Sequence, residues 1–251
     1  MSAQIALIIA ISALFTAFVS GVFGMAGGMI FMGIIAVYLG VAEAMVVHGL
    51  VQSLSNVSRA AMLKRHIRWD IMMFIALGAL PAIAIMAMIA FIPGKALLYL
   101  MLGLLPFLLW LPKDRLAFDA AKPVHAMACG FLVMMLNLTA GVAGPALDFF
   151  FIKTTMNRNQ IVATKAVTMF GSHIVKIFYF GIPLVKASGL GGLPPWWMFA
   201  LAVPLTLLGT YLGTRVLQRL SDLHFKSYTK YIVTVIGVIY LWRAAVLYGL
   251  I

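Results

Sequence analysis

Apolar stretches of about twenty residues recur along the whole chain, and they leave few folds open. Hydrocarbon offers no water to satisfy backbone N–H and C=O groups, so a spanning segment must be a helix or part of a closed barrel. Barrel strands read as short alternating segments, and this sequence has none. Of 251 residues, 64% are hydrophobic and 10% charged. A soluble domain of that size cannot hide so much apolar surface. The reading is an all-α polytopic membrane protein.

Full-length runs fall at 5–23, 41–63, 71–92, 96–111, 124–140, 161–180, the stretch after Trp196-Trp197, and 232–251. Two short pieces, 29–39 and the one ending near 156, lie among them and are half a membrane thick at 1.5 Å per residue. The expectation is about 8 full transmembrane helices plus two short or re-entrant helices. Pro81 interrupts one run, which membrane helices tolerate. The N-terminus has no basic n-region, so the first run reads as a retained helix rather than a signal peptide. Cys129 stands alone and excludes an internal disulfide.

Residues 21–59 have an echo 117 positions later, at 138–176. The first copy holds Gly24-Met25-Ala26-Gly27-Gly28 and the second Gly141-Val142-Ala143-Gly144-Pro145. Without a gap, Ser55-Asn56-Val57-Ser58-Arg59 then aligns with Ser172-His173-Ile174-Val175-Lys176. Identity is 5 of 39 positions, so the weight falls on which positions agree: two glycines, a serine and a terminal base. This divides the chain into a first repeat at 1–111, a cytoplasmic linker at 112–123 and a second repeat at 124–251.

The net charge of +12 sits mostly in loops, where it sets orientation and not nucleic-acid affinity. Loops 64–68, 113–122 and 215–230 are basic and read as cytoplasmic, whereas 181–195 carries only Lys186 and reads as external. The loop after the polar helix is therefore inside in one repeat and outside in the other. The repeats are expected to be inverted, with both termini external and a binding site at their interface near the midplane.

Helical spacing places His48, Gln52, Ser55, Asn56 and Arg59 on one face, and Lys165, Thr168, Ser172, His173 and Lys176 on its counterpart. Ionisable groups inside a membrane are costly unless they face a cavity or a partner. Hydrogen-bond donors dominate both faces, which suits an anion such as a sulfonate, sulfite or carboxylate. The glycine breaks at Gly24, Gly27 and Gly28, and at Gly141 and Gly144, are expected to let helix N-termini approach that anion.

Each position has a plainer reading as well. Glycines let helices pack, Ser55 and Ser172 can pack too, and Arg59, Lys165 and Lys176 can reach toward headgroups. Asp148 is an acid within an apolar piece, either a proton-coupling carboxylate paired with Lys153 or half of a structural ion pair with a base. Glu43 reads as a favourable helix-start charge. The seventeen scattered methionines read as gap fillers and not as a copper pathway.

The segment Gly21-Val22-Phe23-Gly24-Met25-Ala26-Gly27-Gly28-Met29-Ile30 and the Ser-Asn-x-x-Arg and Ser-His-x-x-Lys helices resemble the sulfite exporter TauE/SafE family. The second half departs from the pattern, with Pro145 for a glycine and His173 where the first half has Asn56. The resemblance implies a bacterial inner-membrane secondary transporter, a probable exporter of sulfite or an organosulfonate, working by alternating access with a coupling proton or sodium ion. No nucleotide motif is present, so neither an enzyme nor a cofactor is expected. A membrane-embedded enzyme would need a nucleophile–base or metal constellation, and the scattered His66, His125 and His224 lie outside the polar faces. A passive anion channel and a carboxylate transporter are the alternatives. Gly209 and Gly213 offer a helix-packing face, and a homodimer is open.

Overall fold

The computed structural model describes residues 2–23, 26–111, 118–217 and 222–251, and the described residues form helices α1 to α10. In the first half these are α1 (Ala3–Phe23), α2 (Ala26–Tyr38), α3 (Val41–Met62), α4 (Trp69–Ile89) and α5 (Lys95–Leu104). The second half holds α6 (Pro123–Thr139), α7 (Gly144–Phe151), α8 (Arg158–Ser188), α9 (Trp196–Leu217) and α10 (Asp222–Leu247). Lys113 and Arg115 of the expected linker, and Arg219, lie outside the described residues.

Among the described residues five helices, against the eight full spans expected, are long and apolar enough to cross a membrane on their own: α1, α4, α8, α9 and α10. The shortfall has physical causes. α3 has 22 residues, but its polar face lowers its hydropathy. α5 stops at Leu104 and continues as a 3-10 turn over Leu105–Trp110, where Pro106 removes a backbone donor. α6 spans 17 residues. The expected loop 181–195 is shorter than supposed. α8 runs through Pro183 to Ser188, so Lys186 sits in a helix, since membrane helices tolerate proline. The two short helices stand where the sequence put them, with 13 residues in α2 and 8 in α7.

α1 packs on α9, α6 on α4, α3 on α8, and α5 on α10. Exchanging the first five helices with the second five maps each of these pairs onto another or onto itself. Small residues make the close crossings. Gly209 and Gly213 of α9 lie against the backbone of α1 at Leu14 and Phe18, so that glycine face is filled within the chain. Gly78 of α4 meets Met127 of α6, and Gly130 of α6 meets Ile75 of α4. Large apolar side chains such as Met73, Leu80, Met88, Val235 and Ile239 point outward, as lipid contact requires.

The connections are pinned by hydrogen bonds. The Gly40 N–H donates to Glu43 Oε2 at 3.1 Å, the helix-start role expected of that acid. Before α6, the Ala120 N–H donates to the Phe150 carbonyl at 2.8 Å, and the Asp119 N–H to His125 Nδ1 at 3.0 Å. Arg68 and Asp70 form an ion pair at 2.6 Å where α4 begins.

Candidate functional site

α3 and α8 run antiparallel, and their polar faces meet. His48 contacts Lys176, Gly49 packs on Ile177, and at the far end Arg59 and Lys165 lie within electrostatic reach of one another. This register brings each base of one repeat to the face of the other.

Lys176 is fully buried in the middle of α8, twelve residues before its end. It therefore does not reach for a headgroup. Its Nζ donates to the Gly141 carbonyl at 2.7 Å, to His48 Nδ1 at 2.8 Å and to Asn137 Oδ1 at 3.4 Å. When the amine is protonated, its three protons meet these three acceptors. His48 Nε2 lies 3.0 Å from the Gly28 carbonyl and must carry the ring proton to bond it, which leaves Nδ1 as an acceptor. Among the described residues no carboxylate pairs with Lys176 or Arg59. Gly141, between α6 and α7, has φ +76°, a left-handed conformation that glycine adopts without strain. That turn aims its carbonyl at the lysine.

Arg59, near the end of α3, donates to the Ser20 carbonyl at 3.4 Å. Both bases therefore sit at the carbonyl ends of α1 and α6, the negative poles of their dipoles. The sequence pointed instead to the N-terminal side of the breaks.

Four contacts form two equivalent pairs. Arg59 on Ser20 and Lys176 on Asn137 are the same contact, each residue 117 positions on. So are Phe31 on His48, with ring centroids 6.0 Å apart, and the Asp148–Lys165 ion pair. One half fills that place with stacked rings, the other with opposite charges. Lys165 lies two turns inside α8 and pairs with Asp148, so it does not start its helix as a headgroup anchor.

The remaining candidates divide. Gln52 flanks Gly28, whose missing Cβ would lie 3.6 Å from its amide. His173 is buried with its ring edge-on to His48, centroids 5.4 Å apart. Asn56 donates to the Gln52 carbonyl at 2.8 Å, Thr168 to the Thr164 carbonyl at 3.0 Å, and Ser172 to the Met169 carbonyl at 3.0 Å. The two hydroxyls are spent locally as donors, and the Asn56 amide uses one of its two N–H groups. Ser55 lies 2.9 Å from Thr210 of α9, a packing contact. Gly27 lies against the α1 backbone at Thr16 and Ser20, which makes it a helix-packing glycine. Gly144 opens α7, and Gly24 lies outside the described residues.

Asn137 escaped the sequence reading. It precedes the repeated stretch by one residue, yet it is a fully buried amide in an apolar run and the counterpart of Ser20. Its Nδ2 and His173 Nδ1 are buried side-chain nitrogens with no hydrogen-bond partner among the described residues. A lone amide in such a run was the available signal.

A buried amide N–H and a histidine nitrogen without partners among the described residues, beside an amine with no carboxylate among them, can meet an acceptor-only anion once His173 Nδ1 carries the ring proton. A family model described as sulfite exporter TauE/SafE matches residues 9–240. No curated protein and no solved structure gives a significant match. With the match extending over all but the two ends, the chain belongs to the sulfite exporter TauE/SafE family of membrane transporters.

Proposed function

We propose that the chain is a secondary carrier that exports a small sulfur-containing anion, sulfite or a sulfonate, by alternating access across a bacterial inner membrane. The observation that carries the anion reading is a pair of buried nitrogens without a partner among the described residues, the Asn137 Nδ2 donor and His173 Nδ1, which donates in the tautomer that protonates it, beside Lys176. An unmet buried donor costs about 1–3 kcal/mol, and an anion that accepts from both would recover that cost. Gln52 and the start of α7 at Gly144 border the same region, and Arg59 supplies a second positive charge along the α3–α8 contact.

The two five-helix series are inverted repeats in this reading, with the linker cytoplasmic and both termini external. Supporting it are the helix pairs that map onto one another when the series are exchanged and the contacts that recur 117 positions apart. Basic residues concentrate at 64–68. A site between such repeats can face either side as one half rocks against the other. Asp148 is held by Lys165 and acts here as a structural counter-ion.

Thermal unfolding of the purified protein tests the anion reading against sulfite, sulfate, thiosulfate, sulfoacetate, taurine, acetate and chloride. A ligand that binds only the folded state stabilises it by about 2.7 kcal/mol at one hundred times its Kd. A saturable rise in melting temperature with a sulfur oxyanion or sulfonate is expected, reduced in His173→Ala. A rise only with a metal ion or a neutral solute contradicts the proposal.

A further inference from the structure

We infer that Lys176 and His48 together form the proton-binding site that couples proton movement to the anion. This rests on the carrier reading above and adds the coupling ion and its residues. The contact is a direct nitrogen-to-nitrogen hydrogen bond of 2.8 Å, completely buried on both sides. The Gly28 carbonyl fixes the His48 ring so that a lone pair faces the amine. A proton can therefore pass between the two nitrogens with little movement of heavy atoms.

Among the described residues the surroundings hold no fixed compensating charge. From α3 comes His48, and from α8 itself His173, edge-on to His48. α6 contributes the uncharged amide of Asn137, the turn after it the Gly141 carbonyl, and α2 the Gly28 carbonyl and the Phe31 ring. Arg59, Lys165 and Asp148 lie at the other end of the α3–α8 contact, eleven residues away along each helix. An ammonium in this place gains a counter-charge only when an anion occupies the neighbouring donors. Anion binding then draws a proton onto the pair, and by reciprocity a proton there tightens the anion. The step is addition of H⁺ to the free amine of Lys176 on one side of the membrane and its loss on the other. Carbonyl ends of broken helices are places where carriers hold coupling cations, and here the protein supplies the cation itself.

Isothermal titration of sulfoacetate into the native protein, in two buffers of different ionisation enthalpy, counts the protons taken up on binding. The expected result is uptake of close to one proton by the native protein and by D148N. Lys176→Arg cannot lose its charge, so any binding it retains is expected without proton uptake. If that variant does not bind, His48→Gln decides: the pH at which uptake is half complete must move from the native value. Binding by the native protein with no proton uptake overturns the coupling site and leaves the anion site standing, as does uptake abolished in D148N. An unmoved midpoint in His48→Gln overturns it too. Absence of binding by every sulfur anion refutes the carrier reading, and the coupling site with it.

Discussion

Lys176→Met will bind a sulfonate roughly 10- to 150-fold more weakly than the native protein, because it removes a charge-assisted interaction of about 1.5–3 kcal/mol from a buried site. Methionine fills most of the lysine's volume without its charge. The change leaves His48 Nδ1 and the Gly141 carbonyl without their donor, but it also removes a buried amine whose protonated form no carboxylate offsets among the described residues. These effects oppose one another, so a folded, monodisperse protein with a modest change in melting temperature is expected. Titration with sulfoacetate and size-exclusion chromatography check both halves. Native affinity in Lys176→Met would return this lysine to a structural role as the cap of α6.

Gly130→Val will fail to give a stable protein. A Cβ at Gly130 would fall on the carbonyl of Ile75, just as one at the reciprocal Gly78 would fall on the carbonyl of Met127. Backbone cannot yield as the end of a side chain can, so α4 and α6 must separate. Overpacking of this kind costs about 1–3 kcal/mol even where side chains can move, and here the loss extends along the whole crossing. The melting temperature is expected to fall by roughly 5–10 °C, or the monodisperse peak to disappear. Gly171→Ala is the control, since a Cβ there meets no neighbouring atom within 4 Å and alanine is the better helix former. Equal stability of the two variants would contradict the packing described for α4 and α6.

Much of this arrangement is legible in the sequence, because membrane helices carry their instructions locally. The apolar runs, the short pieces α2 and α7, and the turn at Gly141 follow from hydropathy and from glycine chemistry. The offset of 117 residues identified positions that turned out to make equivalent contacts, including Arg59 on Ser20 and Lys176 on Asn137. What escaped was tertiary. The antiparallel register that sets His48 against Lys176 depends on how α3 and α8 cross, and no local pattern states it. Phe31 and Asp148 differ in every chemical respect, and only the fold places one beside His48 and the other beside Lys165. Pro183 reads as a loop by soluble rules yet lies inside α8, and Ser55 looks like a ligand until Thr210 of α9 is seen to claim it. The polar face that marks α3 as functional is also what lowers its hydropathy below that of a free-standing span.

Exchange across the membrane tests the central claim most directly. Purified protein is reconstituted into liposomes loaded with labelled sulfoacetate or sulfite, and the same anion is added outside. A carrier whose site faces one side at a time returns faster when loaded, so external anion must accelerate loss of internal label, saturate with concentration, and do so less in Lys176→Met. Loss of label that is indifferent to external anion and linear in concentration would describe an open pore, and would contradict alternating access at this site.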